Sequence, residues 1–168
     1  MPCLLTQSFA LDCKDAIGGI KSIHLVNWTK TGFTVASGEV TATTIVSGDV
    51  YTYDIPKATG SMTNTTNVSV ENGTTFNSTD VAFKLRRMST TKRNEMKLLA
   101  QGRTFCIFKN NNDEYWLVGK DSGCDVSSMT ANTGTAFGDA NGYEITLQAM
   151  DSEQPYKLSG AVVTTLGI

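Results

Sequence analysis

The chain carries one histidine, His24, and four cysteines, Cys3, Cys13, Cys106 and Cys124. A zinc site needs three or four clustered thiolate, imidazole or carboxylate ligands. No two of these cysteines form a C-x-x-C pair, so the ligand spacing of a metal site is absent and neither metal nor cofactor is expected. The thiols read most simply as buried free cysteines that pack as small hydrophobes; sequence alone does not decide whether two of them pair. A Ser/His or Cys/His nucleophile would have to use His24 as its base. His24 lies in a strand-like run with no nucleophile motif beside it, so a packed, hydrogen-bonded side chain is expected. There is no G-x-S-x-G, no P-loop and no G-x-G-x-x-G. Asp139-Ala140-Asn141-Gly142 resembles part of a calcium loop, but the EF-hand pattern would put Phe137 at position 1 and Gln148 at position 12. A turn accounts for it better. Carboxylates brought together only by the fold are invisible at this level, and the chain is read as not an enzyme.

Charge is unevenly spread over the 168 residues, whose formal net charge is −2. Lys84, Arg86, Arg87, Lys92, Arg93, Lys97 and Arg103 crowd one short stretch in which Glu95 is the lone acid. Asp113, Glu114, Asp121, Asp125, Asp139, Glu144, Asp151 and Glu153 follow, with Lys120 the lone base among them. Two complementary patches suit head-to-tail association of copies, which closes into rings or runs on as filaments. A basic subunit interface is expected at Lys84, Arg86, Arg87, Lys92, Arg93 and Lys97. An acidic interface or lumen patch is expected at Asp113, Glu114, Asp121, Asp125 and Asp139. The basic run also fits a solvated helix face or a phosphate-binding cluster. Aromatics are not interleaved with basic residues elsewhere, which counts against a nucleic-acid platform.

The elements that must position these groups are mostly strands. Thr, Gly, Ser and Asn occur 24, 15, 13 and 11 times, and charged residues make up only 18%. Abundant Thr and Val with little Glu or Ala argues against a helical bundle. The five N-x-[ST] triplets, at Asn27, Asn64, Asn67, Asn72 and Asn77, follow from this composition. In residues 19–28, Ile20, Ser22, His24, Val26 and Trp28 share one face, and the other also carries apolar residues, as in a central strand covered on both sides. Short β-rich runs follow at 31–36, 39–46 and 50–55, separated by Ser-Gly turns as in antiparallel hairpins. Residues 59–90 read as a long projecting hairpin around Glu71-Asn72-Gly73, with a polar tip marked by Asn64, Asn67, Asn72 and Gly73. An isolated ribbon is marginal in water, so this tip is expected to pair with another subunit. Residues 91–101 form the one expected helix, capped by Thr90 or Thr91, with Met96, Leu99 and Ala100 as its apolar stripe. Residues 103–109 and 114–119 read as a strand pair. Residues 120–142 read as the longest loop, 143–150 as an alternating strand, and 158–166 as a last strand or terminal arm. About eight to ten strands and one short flanking helix over residues 1–168 indicate a single mainly β domain, an antiparallel sandwich or barrel.

No stretch approaches the roughly 20 apolar residues that span a bilayer, and the N-terminus lacks the pattern of a secretory signal. The chain is therefore expected to be made in a reducing cytoplasm and to have no membrane partner.

Three stretches carry a family resemblance. Cys13-Lys14-Asp15-Ala16-Ile17-Gly18-Gly19-Ile20 leads into the strand at 23–28. YWLVGKDSG at 115–123 precedes the run Thr133-Gly134-Thr135-Ala136-Phe137-Gly138-Asp139-Ala140-Asn141-Gly142-Tyr143. Then comes ITLQAMDSEQPY, with Glu153, Pro155 and Tyr156. In this order they resemble the tail-tube-like and ring virion proteins of tailed phages of Bacteroidetes bacteria, including crAss-like phages. The resemblance implies a tail-tube-type β-sandwich or barrel located in the virion tail. It implies a homo-oligomeric ring of six or twelve copies, stacked on neighbouring tail proteins around the channel through which genomic DNA passes without sequence-specific binding. It makes the 59–90 hairpin an inter-subunit or inter-ring element and supplies no catalytic residues. A head–tail connector, stopper or capsid-decorating protein is a second reading. A carbohydrate-binding β-sandwich is a third; it would need exposed aromatics, and Trp28 and Trp116 both lie in apolar runs.

Overall fold

The computed structural model describes residues 3–168. The strands are β1 (Ile20–Asn27), β2 (Phe33–Ala36), β3 (Glu39–Thr43), β4 (Val50–Asp54), β5 (Ser61–Ser69), β6 (Thr74–Arg86), β7 (Thr104–Asn110), β8 (Tyr115–Val118), β9 (Cys124–Asn132), β10 (Gly142–Asp151) and β11 (Tyr156–Leu158). Helix α1 is Thr90–Gln101 and helix α2 is Gly160–Leu166. The fold is mainly β, as expected, with one large sheet. All described pairs are antiparallel except β3–β11, which is parallel.

The sheet is narrowest at the single pair Thr104–Cys124 between β7 and β9. On one side of that joint runs β2-β3-β11-β8-β7, with β1 and β4 beyond β7. On the other side lies the four-stranded half β9-β10-β6-β5. The two halves face each other across a core that joins Ile23, Leu25, Cys106 and Phe108 to Val81, Phe83, Ile145 and Leu147. Burying each such large side chain contributes about 1.5–3 kcal/mol, enough for this interface to dominate the fold. Met96 and Leu99 of α1 close one side of this core. A second core covers the far face of the first half, where Val26, Phe105, Ile107 and Leu117 meet Val162 and Leu166 of α2. β1 is thus buried on both faces, as its sequence pattern required.

Several expectations need correction. Ile20 packs with Ile23 and Leu25, not with His24 and Val26, because a bulge between Ile20 and Ser22 reverses the alternation. The stretch 120–142 is not one long loop. It contains β9, which pairs along β10 and is interrupted by a bulge at Ser127. Residues 158–166 end in helix α2, so there are two α-helices among the described residues: the β-branched run Val162-Val163-Thr164-Thr165 is helical because Val162 and Leu166 fill the second core. Ser89, not Thr90 or Thr91, caps α1, its hydroxyl accepting from the Lys92 N–H. The N-terminal thiols Cys3 and Cys13 are exposed, and only Cys106 and Cys124 are buried. All four are free thiols, and burial pushes the Cys106 thiol up to about 12.

Candidate functional site

The feature with the clearest functional content is the four-stranded half-sheet and the hairpin that extends it. β6 turns Asn77, Thr79, Val81, Phe83 and Leu85 inward, where all are buried. Its other face carries Ser78, Asp80, Ala82, Lys84 and Arg86, beside Thr63 and Thr65 of β5 and Glu144, Thr146 and Gln148 of β10. β9 adds Asp125, Ser128 and Thr130 to that outer face. The result is a mostly polar surface four strands wide, rich in Ser and Thr, with Met150 of β10 exposed on it opposite Ser78. Glycine is required at Gly142, where an added Cβ would sit 1.9 Å from the Leu85 carbonyl oxygen. The two outermost strands, β5 and β9, each have nine residues. Among the described residues, β5 has no partner beyond β6, and β9 has only the Thr104–Cys124 pair beyond β10.

β10 stops at Asp151, opposite Asn77, so the hairpin overhangs the body beyond that pair. Buried polar residues root it there. The Thr66 hydroxyl and the Asn64 amide donate to Asn77 Oδ1 at 2.7 and 3.3 Å. Thr79 donates to Asn64 Oδ1 at 2.8 Å, and Asn77 Nδ2 donates to the Ser152 carbonyl at 3.2 Å. Asn64 therefore works in this root network. Asn67 lies on the overhang, and Asn72 and Gly73 form the turn, where Gly73 takes φ 63°. The overhang is not wholly polar: Val68, Val70 and Phe76 are exposed on it.

The structure separates the residues of the expected basic interface by their partners. Lys84 pairs with Glu144 at 2.6 Å on the outer face. Lys92 donates to the Arg86 and Arg87 carbonyls and holds the corner between β6 and α1. Arg86, Arg87, Arg93 and Lys97 are exposed and make no ion pair among the described residues. Arg103 reaches Asp125 at 3.7 Å and stacks over Trp28, 5.5 Å from its ring centre.

The acidic residues are largely held within the chain. Asp113 pairs with Lys21 and Lys109, both at 3.1 Å, and these contacts hold its carboxyl below the usual range. Glu114 pairs with Lys157 at 2.7 Å and is lowered by it. Asp121 accepts from the Ser152 hydroxyl at 2.6 Å, the main cause of its lowered value, and lies 3.3 Å from Lys120. Asp139 accepts the Ala136 and Thr135 N–H groups, both at 2.8 Å, and closes the loop between β9 and β10. Those backbone donors lower its value. Exposed ion pairs contribute only about 0–1 kcal/mol each, so these carboxylates can exchange partners on assembly at small cost.

Sequence reasoning missed Asp151. It is buried and accepts from the backbone of Gly119 at 3.0 Å and of Asp121 and Ser122 at 3.3 Å. Its location six residues after Ile145 on the inward face of β10 was the available signal. It fastens the turn between β8 and β9. His24 is buried and shares hydrogen bonds with Ser22 Oγ at 3.1 Å and Thr52 Oγ1 at 2.9 Å. Burial lowers its pKa, a fall that nearby Lys109 adds to and Asp54 opposes. Trp28 and Trp116 are both half-buried.

No group of three or more metal-ligating side chains gathers among the described residues. No helix among them is long and apolar enough to cross a membrane. Compared with known proteins, the chain matches no family model, no curated protein and no solved structure.

Proposed function

We propose that this chain is a ring-forming structural subunit of a phage tail, whose four-stranded half-sheet lines the channel for DNA. The observation that carries the reading is the pair of nine-residue outer strands, β5 with a free edge and β9 with its edge free beyond Cys124, bounding a sheet with an apolar inner face and a mostly polar outer one. β5 and β9 run in opposite directions, as three successive antiparallel pairings require. The β5 edge of one copy therefore meets the β9 edge of the next with the same antiparallel geometry. Free edges invite pairing, and ring closure removes them. The closed wall then presents Thr63, Thr65, Ser78, Asp80, Thr146 and Gln148 to the channel; Lys84 on the same face is paired with Glu144, and Arg86 stands at the end of β6, so few basic groups are left there to hold phosphates. The overhanging hairpin carries Val68, Val70 and Phe76 out to a neighbouring copy or ring.

Replacing residues 67–76 by a two-residue Asn-Gly turn tests the role of the overhang, because the Thr66–Asn77 pair and everything inward of it stay in place. Sedimentation velocity at rising concentration should show the intact chain forming discrete large species and the shortened chain remaining small, with matching circular dichroism. Equal assembly by both chains, or an intact chain that stays monomeric at every concentration, contradicts the reading.

A further inference from the structure

Residues 3–16 form no strand or helix and lie ahead of β1 as an exposed arm. Their sequence nevertheless has the two-residue period of a strand. Leu5, Phe9, Leu11 and Cys13 alternate with Thr6, Ser8, Ala10, Asp12 and Lys14, and only Gln7 interrupts the apolar face. Leu5 and Leu11 are fully exposed, and Phe9 is 91% exposed. A pattern built for one buried face therefore has no surface beneath it.

The arm is steered away from one edge of its own body. Asn112 Oδ1 accepts the Ile17 N–H at 2.9 Å, and its Nδ2 donates to the Ile17 carbonyl at 3.2 Å. Asn111 donates from its side chain to the Gly18 carbonyl at 2.6 Å and from its backbone to Gly19 at 3.2 Å. Both asparagines belong to the turn between β7 and β8. β1 stands between β7 and β4, so this clamp ties the arm on the side away from β4.

The β4 edge is bare and grooved. Among the described residues, β4 is bonded only to β1. Between its free edge and α1 lie two hollows of about 470 and 220 Å³ that share Tyr53 and Glu95. Tyr51 and Leu98, both exposed, line one end, and Arg86 and Lys92 line the other.

We propose that residues 5–13 of one copy add as a strand to the free β4 edge of a second copy. Leu5, Phe9 and Leu11 cover Tyr51, Tyr53 and Leu98, while Asp12 and Asp15 meet Arg86 and Lys92. Those basic groups lie beside the C-terminal end of β4, so the added strand runs parallel to β4. Lys14 falls near Asp54 and Glu95 of the same groove. In such strand addition the backbone supplies the bonding and alternate side chains supply the specificity. Each copy gives one arm and receives another, a heterologous contact that closes into rings or propagates. The contact goes beyond the tail reading and stands for any assembly of this chain.

Thiol trapping between two full-length chains tests it. One chain carries Cys3→Ser and Cys13→Ser together with either Leu98→Cys or Tyr51→Cys, both at exposed positions. The other keeps its natural arm thiols and carries Phe9→Asp and Leu11→Asp in a parallel set. On mild oxidation the mixture with the natural arm should give a disulfide-linked dimer of the two different chains, and the aspartate arm should lower its yield at least tenfold. Absence of the mixed dimer with both groove reporters overturns the proposal. Equal yield from the natural and aspartate arms also overturns it, because the apolar face is then not what binds. An arm thiol that links to the groove of its own chain in a Leu98→Cys variant retaining Cys3 and Cys13 overturns the exchange between copies.

Discussion

Asn77→Ala probes whether the buried amide network orients the hairpin. Asn77 is 4% exposed and its side chain makes three hydrogen bonds, to Thr66, Asn64 and the Ser152 carbonyl. Each is worth about 1 kcal/mol net, and a buried partner left unpaired costs more. Thr66 is exposed and can turn to water, and Asn64 keeps its bond from Thr79. The Ser152 carbonyl simply loses its side-chain donor. The expected loss is therefore about 2–3 kcal/mol. For a chain of this size that is a fall in Tm of roughly 4–12 °C. Thermal unfolding measures the total, and amide hydrogen exchange locates it. Exchange should quicken across β5 and the outer part of β6 and stay unchanged in β7. Asn67→Ala is the control, since Asn67 donates only a long 3.4 Å bond to the Thr65 carbonyl; it should cost under about 0.5 kcal/mol. A loss equal to that of the control, or unchanged exchange in β5, would refute the reasoning.

Three further outcomes follow from the same geometry. Arg86→Glu, Arg87→Glu and Arg93→Glu combined should shift stability by no more than about 1 kcal/mol, because surface substitutions change little, yet should weaken assembly measured by light scattering at low salt; unchanged assembly removes the charge argument. Burial lowers the His24 pKa from 6.5, so the unfolded chain binds its proton more readily than the folded one. Stability should thus fall as pH drops below about 6.5, and His24→Gln should flatten that slope in urea melts taken at successive pH values. Gly142→Ala must drive β10 from β6, since its Cβ would meet the Leu85 carbonyl oxygen at 1.9 Å; about 3 kcal/mol of destabilisation is expected by chemical denaturation, and a near-neutral effect would contradict the described register.

Where periodicity was unbroken, the sequence was sufficient. Met96 and Leu99, spaced for a helix and followed by Gly102, led directly to α1, and the alternation of Tyr143, Ile145 and Leu147 led to β10. Bulges hid the rest. The one at Ser127 breaks the alternation of Cys124, Val126 and Met129, so β9 resembles a loop in sequence. The one after Ile20 moves that residue to the opposite face. Helix α2 was obscured because its β-branched residues prefer strands locally and are overridden by packing in the second core. At the candidate site, the basic run was visible as local composition. Its pairing was not, because Lys84–Glu144 and Arg103–Asp125 join residues far apart in the chain. Nor could spacing alone show that Asn64 belongs to the root of the hairpin.

In the proposed assembly, copies of this chain join edge to edge with the four-stranded half-sheet facing a common channel. A high-resolution electron-microscopy reconstruction of the assembled protein tests it most directly. The expected result is an annulus in which β5 of one copy is hydrogen-bonded to β9 of the next, with Thr63, Asp80 and Gln148 lining the opening. A reconstruction in which those strand edges remain unpaired, or in which that polar face points outward, would contradict it.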